Sequence, residues 1–346
     1  MRLADEAGRF KMLAIDQRGS MVDSLAKTSG KPKDQVKFEE IARVKMLVTK
    51  SLAPMATAVL TDPIYGYAFS IEHIPSQIGL LLAYEETGYD TIGGARYTKL
   101  IDGWTARKAR TAGADAIKLL LYYHPDADEK ANEHQHEIVR KVGRECAELD
   151  MPFLLETVGY ALDGSGTGTA EFARQKPDIV IRSAREFSKP EYQVDVLKLE
   201  FPANLKFCRE YQSANFGKKD AEPVYSVDEV KDFCRQLDEA ALVPWVILSA
   251  GVDIEEFNEN TKLAVAAGAS GFLCGRAIWK EAVALFPDEA KAVTALETRA
   301  RENYRYLNEI AERAVPWFEH RRFGGMQNVH LRARGENWCK QYQAGV

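Results

Sequence analysis

Eight short apolar runs recur along the chain, with stretches of helical character between them. They are Lys11–Gln17, Ala58–Asp62, Gly79–Tyr84, Ala116–Tyr123, Pro152–Val158, Val194–Phe201, Trp245–Gly251 and Gly271–Arg276. Each is nearly continuous in hydrophobic residues, as strands of a parallel sheet are when helices cover them. Helical periodicity is read over Gln35–Leu47, Asp102–Ala112, Glu133–Leu149, Val227–Ala240 and Asp253–Ala266. Gly113 and Gly268, each inside an Ala-Gly-Ala segment, read as helix stops before the fourth and eighth strands. Eight alternating strands and helices fit a closed barrel or an open doubly wound sheet. No GxGxxG follows the first strand and no Walker loop occurs, which favours the barrel. The glycine-rich Gly164–Gly168 comes after the fifth strand and reads as a βα loop. The prediction is one α/β domain, a (β/α)₈ TIM barrel over residues 1–323, with 324–346 as a C-terminal extension where the apolar periodicity fades.

Side-chain alternation makes the polar residues inside these runs informative. In the sixth run Leu197, Leu199 and Phe201 share one face, and Val196, Lys198 and Glu200 the other. The apolar set should meet the helices, which leaves Lys198 inside the barrel. The same parity groups Lys118 with Ala116 and Leu120, Glu156 with Leu154 and Val158, and Asp16 with Met12 and Ala14. Two lysines and two carboxylates are thus expected in one interior, where an unpaired charge is costly. They could form an ion-pair network without chemistry. Against that, Asp16, Glu156 and Lys198 fall toward strand C-termini, where barrel active sites lie. A cationic neighbour in a dry site favours the neutral amine that a Schiff base needs, and Lys118 is placed to be that neighbour. Ser249-Ala250-Gly251 and Gly275-Arg276 end the seventh and eighth runs, the strands whose loops often hold phosphate in barrels.

Composition narrows the function. The net charge of −5 over 346 residues lacks the basic surface that nucleic acid requires. No run of 18 apolar residues occurs, so no membrane span is expected, and the acidic N-terminus does not read as a signal peptide. Cys146, Cys208, Cys234, Cys274 and Cys339 are scattered, with no CxxC pair, which suits a reduced, cytoplasmic chain. His134 and His136 are two apart on a helix and face different sides; His73, His124 and His320 stand alone, so surface or capping roles are expected. Neither metal nor cofactor is expected. Oligomeric state is not readable, and a homo-oligomer is compatible with the sequence.

Several motifs together resemble the tagatose 1,6-bisphosphate aldolase family, class I barrel aldolases that also include sulfofructose-phosphate aldolases. The resembling pieces are AIDQRG (Ala14–Gly19), LTDPIYG (Leu60–Gly66), IKLLLYY (Ile117–Tyr123), the strand of Glu156, DVLKLEFP (Asp195–Pro202), LSAGV (Leu248–Val252) and LCGRAIW (Leu273–Trp279). The resemblance runs from about residue 9 to Pro316-Trp317. It implies that Lys198 forms the Schiff base, that Glu156 transfers protons, and that Asp16 and Lys118 line the site. Gln17, Arg18, Ser249, Gly251, Gly275 and Arg276 match positions expected to contact a sugar-phosphate substrate. Arg276 with the Gly251 and Gly275 amides would anchor one anion and Arg18 the other. The segment after Glu156 and the tail beyond Phe323 depart from the pattern, which leaves the far end of the sugar open. A ketose bisphosphate would yield dihydroxyacetone phosphate and glyceraldehyde 3-phosphate, whereas a 6-sulfonated ketose phosphate would yield sulfolactaldehyde. A sugar-phosphate sensor with residual aldolase activity is a further alternative, disfavoured by the intact lysines and Glu156.

Overall fold

The computed structural model describes residues 2–329 and 336–341, and in it eight parallel strands close into a barrel. They are β1 (Phe10–Ala14), β2 (Ala58–Thr61), β3 (Gly79–Ala83), β4 (Ala116–Tyr122), β5 (Phe153–Val158), β6 (Val196–Leu199), β7 (Trp245–Leu248) and β8 (Gly271–Cys274). Neighbours in sequence are neighbours in space, and β8 pairs with β1 to close the ring. All eight apolar runs are therefore strands, some shorter than the runs: Glu200 and Phe201 lie beyond β6, and Ser249–Gly251 beyond β7.

Alternation sorts the strand residues as expected. Met12, Leu60, Leu81, Ala116, Leu154, Val196, Val246 and Leu273 form an apolar plug inside the barrel. Leu13, Val59, Leu82, Ile117, Leu155, Leu197, Ile247 and Phe272 face outward and pack with the helices. Trp317, Phe318, Phe323 and Val329 pack against the inner plug together with Leu3. The expected extension 324–346 falls partly on residues 330–335 and 342–346, outside the described residues. Its described start, through Val329, belongs to this packing.

Helices Phe38–Leu52, Glu129–Glu148, Val227–Ala240 and Ile254–Ala267 follow the predicted patterns, whereas the helix predicted over Asp102–Ala112 is only Ala106–Thr111. Val227–Ala240 starts where a capping box forms, with Ser226 N–H donating to Glu229 at 2.8 Å. Gly113 and Gly268 hold positive φ values of 93° and 132° at the helix ends read from sequence. Several helices lay outside the reading. Ala170–Phe187 carries Pro177 in its interior, a residue that ordinarily argues against a helix. Arg276–Val283 begins directly after β8, and Glu289–Ala295 and Arg301–Ala311 follow it against the shell. After β3 a small antiparallel hairpin, Asp90–Ile92 with Ala95–Tyr97, precedes the next helix.

Closure of the ring depends on Gly271. Its φ is 136°, and a Cβ there would lie 1.9 Å from the Phe10 carbonyl oxygen on β1. Gly271→Ala must therefore part β8 from β1 or force the backbone out of register. We expect a loss of about 2–3 kcal/mol in urea unfolding, in the range of strained backbone substitutions. A variant within half of the lower figure would show that the seam can relax.

Candidate active site

One pleat above the apolar plug, the inward positions become charged. Ala14 is followed two residues on by Asp16, Ala116 by Lys118, Leu154 by Glu156, and Val196 by Lys198. All four are buried. Register brings Glu156 directly beside Lys198 across the β5–β6 ladder. The Lys198 ammonium donates to Glu156 Oε2 at 2.8 Å. Lys118, fully buried on β4, lies 2.9 Å from the same oxygen. It also donates to Asp16 Oδ2 at 2.8 Å and to Glu85 Oε1 at 3.0 Å.

Glu85 escaped the sequence reading. It stands two residues beyond Ala83, on the inward parity of Leu81, just past the end of the third apolar run at Tyr84. Extending the parity by one residue would have found it. Its other oxygen, Oε2, accepts from Leu120 N–H at 2.9 Å. A second missed pair lies nearby: Lys45 and Asp62, both fully buried, meet at 2.8 Å. Lys45 sits on the apolar stripe of its helix, three residues before Val48 and four after Ile41, which is the signal that marked it.

The network fixes protonation states. Burial alone would lower the Lys118 pKa, but Asp16, Glu156 and Glu85 together hold it well above the ordinary lysine value. For Asp16 burial opposes ionisation, yet Lys118 and then Lys198 outweigh it and press the carboxyl well below its usual range. Glu156 is likewise lowered, again by Lys118 and Lys198 against burial. The neighbourhood expected to be cationic is thus balanced: Lys118, Lys198 and Arg18 face Asp16, Glu85 and Glu156.

These residues line one cavity of about 360 Å³ at the C-terminal mouth, with Gln17, Arg18, Glu86, Tyr122 and Arg276. Arg18 Nη2 donates to the Glu85 carbonyl at 2.5 Å and lies 3.5 Å from its carboxylate. Its charge is therefore largely engaged, although Nη1 has no hydrogen bond. Gln17 Oε1 is buried without a partner. Arg276, at the first turn of Arg276–Val283, makes no hydrogen bond or ion pair among the described residues. Gly251 lies against it: a Cβ there would be 3.0 Å from the guanidinium carbon, and φ is 79°. Gly275 caps the Arg276 helix. Ser249 is buried and lines a neighbouring cavity instead. On the rim Tyr122 packs edge-on to Tyr89, with the Arg96 guanidinium over both rings and over Tyr160.

The histidines are engaged elsewhere. His124 Nδ1 accepts from Asp126 N–H at 3.1 Å, and His320 Nε2 meets the Ala241 carbonyl at 3.2 Å, so neither is partnerless. Both are buried, not surface residues. Among the described residues no group of three His, Cys, Asp or Glu side chains is arranged to hold a metal ion, and no helix is long and apolar enough to cross a membrane.

Comparison with known proteins decides the family. Residues 10–281 match the model of the DeoC/LacD family aldolases. The chain belongs to that family. It is 41% identical over 322 residues to tagatose 1,6-diphosphate aldolase 1 of Enterococcus faecalis, covering 92% of this chain and 95% of that one. It is 36% identical over 321 residues to the tagatose 1,6-diphosphate aldolase of Lactococcus lactis subsp. lactis, covering 91% and 95%. Among solved structures, a fructose-bisphosphate aldolase from Plasmodium falciparum aligns with a TM-score of 0.61 at 14% identity, covering 91% of this chain and 93% of that one. An archaeal fructose 1,6-bisphosphate aldolase aligns with a TM-score of 0.52 at 14% identity, covering 88% and 97%. At that identity these two likenesses concern the barrel alone. In this DeoC/LacD aldolase the charged layer occupies the mouth of the family's barrel.

Lys118→Met would leave three carboxylates around a missing cation. Breaking a buried network in this way costs about 3–5 kcal/mol at neutral pH. The sign follows from the depressed pKa values of Asp16 and Glu156. Their stabilisation is complete above the ordinary carboxylate range near pH 4 and is lost as pH falls below it. In the variant these carboxyls protonate more readily, so the deficit against wild type should shrink on acidification. Urea unfolding at neutral pH and near pH 4 measures it, and a deficit that grows in acid would contradict the network's role.

Proposed function

We propose that this DeoC/LacD aldolase cleaves a ketose 1,6-bisphosphate, such as tagatose 1,6-bisphosphate, by a class I mechanism with Lys198 as the Schiff-base nucleophile. The reading rests on how the two lysines differ. An ammonium has three donors, and those of Lys118 meet three carboxylates. Among the described residues Lys198 has one partner, Glu156, and sits in the cavity wall with Arg276 and the Gln17 Oε1, which have none. The relatives named for tagatose 1,6-diphosphate supply the substrate class. One barrel domain through residue 323, with 324–346 as an extension, is the domain reading, and the five free thiols suit the cytoplasm.

Lys198 passes a proton to Glu156 and its neutral amine adds to the C2 carbonyl. Glu156 returns the proton as the carbinolamine loses water, leaving an iminium. Glu156, again a carboxylate, takes the C4 hydroxyl proton while the C3–C4 bonding electrons flow into the iminium. The aldehyde departs, and the enamine is protonated and hydrolysed to dihydroxyacetone phosphate. Asp16 and Lys118 hold Glu156 in place. Arg276 with the amides at Gly251 and Gly275 anchors one phosphate, Gln17 contacts the sugar, and Ser249 fixes the start of the Ala250-Gly251 turn. Arg18, engaged by Glu85 and 3.8 Å from Glu86 through Nη1, turns that nitrogen, which makes no hydrogen bond among the described residues, to the other anion.

Borohydride reduction in the presence of dihydroxyacetone phosphate should fix substrate carbon to Lys198, with EDTA present throughout. Lys198→Ala should lose both trapping and turnover. An adduct mapped to Lys118, or turnover abolished by EDTA and restored by zinc, would defeat the reading.

Arg276→Ala should chiefly raise KM for the bisphosphate, by roughly ten- to a hundredfold, the usual worth of a charge-assisted hydrogen bond. Steady-state kinetics measures it, and an unchanged KM would remove Arg276 from the anion site.

A further inference from the structure

Beside the Lys198 cavity, and sharing none of its lining residues, lies a second cavity of about 250 Å³. It sits over the ends of β5, β6 and β7. Its walls come from the loop at Thr167-Gly168, the segment Glu200–Lys206, the turn Ser249–Val252 and the helix Ile254–Ala267. No residue of β8 or its following helix takes part, so the cavity lies across the β7 turn from Arg276.

Its polar groups are incompletely paired. Asn260 is 5% exposed and its Oδ1 has no hydrogen-bond partner among the described residues. Glu256 is 2% exposed, and its Oε2 also lacks a hydrogen bond, with Lys206 Nζ 3.6 Å away. Lys176 stands 3.7 Å from Glu200, whose other oxygen is already taken by Gly159 N–H at 2.7 Å. Both ion pairs are longer than a hydrogen bond. Lys218 reaches in from the loop, donating to the Gly168 carbonyl at 3.0 Å. Three ammonium groups thus surround the space against two carboxylates, and two of its lining residues, Asn260 and Glu256, carry a buried acceptor with no hydrogen bond among the described residues. Burying an unsatisfied acceptor is costly, so two in one cavity call for an occupant. That occupant must accept from the ammonium groups and donate to Asn260 and Glu256.

We propose that this cavity is a second ligand site, for a small hydroxylated anion of the polyol-phosphate class. Anionic oxygens of the ligand meet Lys176, Lys206 and Lys218, and its hydroxyl groups donate to Asn260 Oδ1 and Glu256 Oε2. The wall is preformed on the turn side, because Lys280 donates to the carbonyls of Gly251 and Val252 at 3.2 Å each.

Isothermal titration with glycerol 3-phosphate, with glycerol as the uncharged control, tests the site. In an Arg18→Met background, which removes the second anchor of the active cavity, the chain should bind two molecules, one at Arg276 and one here, and glycerol should not fill the latter. Lys206→Met should weaken one of the two events by roughly tenfold or more. Asn260→Leu removes the orphan acceptor at similar volume, so it should fold with unchanged or raised Tm and still lose that event. Arg276→Ala should spare it. If Arg276→Ala changes neither event, the anion site proposed at Arg276 fails while this one stands. A single event in that background, equal filling by glycerol, or two events retained there with both Lys206→Met and Asn260→Leu would mean the cavity holds only water, and would overturn the proposal.

Discussion

A fully buried ammonium, that of Lys118, is the constraint around which the upper barrel is built. In the low-dielectric interior it is tolerable only because three carboxylates reach it, from the end of β1, from beyond β3 and from β5. Such a network adds little net stability compared with apolar packing. What it gives is geometry: Asp16, Glu85 and Glu156 have one arrangement that satisfies Lys118, and the ends of three strands are fixed relative to one another by it. Glu156 Oε2 is consequently held where Lys198 can also reach it. The pose of the group proposed for acid–base work is set from behind, by a residue that need not touch substrate.

The layer below explains why this can be afforded at the mouth and not deeper. Met12, Leu60, Leu81, Leu154, Val196 and Leu273 fill the lower barrel with side chains that carry no polar atoms. They supply the hydrophobic stabilisation and exclude water from beneath the charges. One pleat higher, the strands end and backbone gives way to loops, so polar groups there can find both protein partners and an opening. The division is a consequence of a two-residue repeat on eight parallel strands.

That repeat is also why so much was legible. Parity alone assigned Asp16, Lys118, Glu156 and Lys198 to the interior, because a strand residue has only two directions to point. It fell short where the rule runs out. Glu85 lies past the end of its strand, and Lys45 projects from a helix into the interface around Asp62. The hairpin that brings Arg96 over Tyr122 has no apolar run to announce it. The helix Ala170–Phe187 was hidden by Pro177 and the preceding glycines, because local propensity is overridden by the nine buried apolar and small side chains that dock it on the barrel. Arg18 shows the limit for function: sequence placed it at the mouth, but its engagement with Glu85 depends on a contact between residues 67 apart.

The balance of charge around Lys198 bears on how the proposed reaction is eased. Within the hydrogen-bonded network Lys118, Lys198 and Arg18 are matched by Asp16, Glu85 and Glu156, so that network is complete when Lys198 carries one positive charge. The resting ammonium satisfies that condition, and so does the iminium, since its cation occupies the same side chain. The neutral amine occurs between them only while Glu156 holds the proton, and the pair then loses both charges together. Donors and carboxylates therefore face the same electrostatic demand before and after the Schiff base forms, and they need not reorganise to meet it. Preorganisation of this kind is commonly the largest contribution an active site makes. In this barrel it follows from burying a second lysine whose own charge never changes.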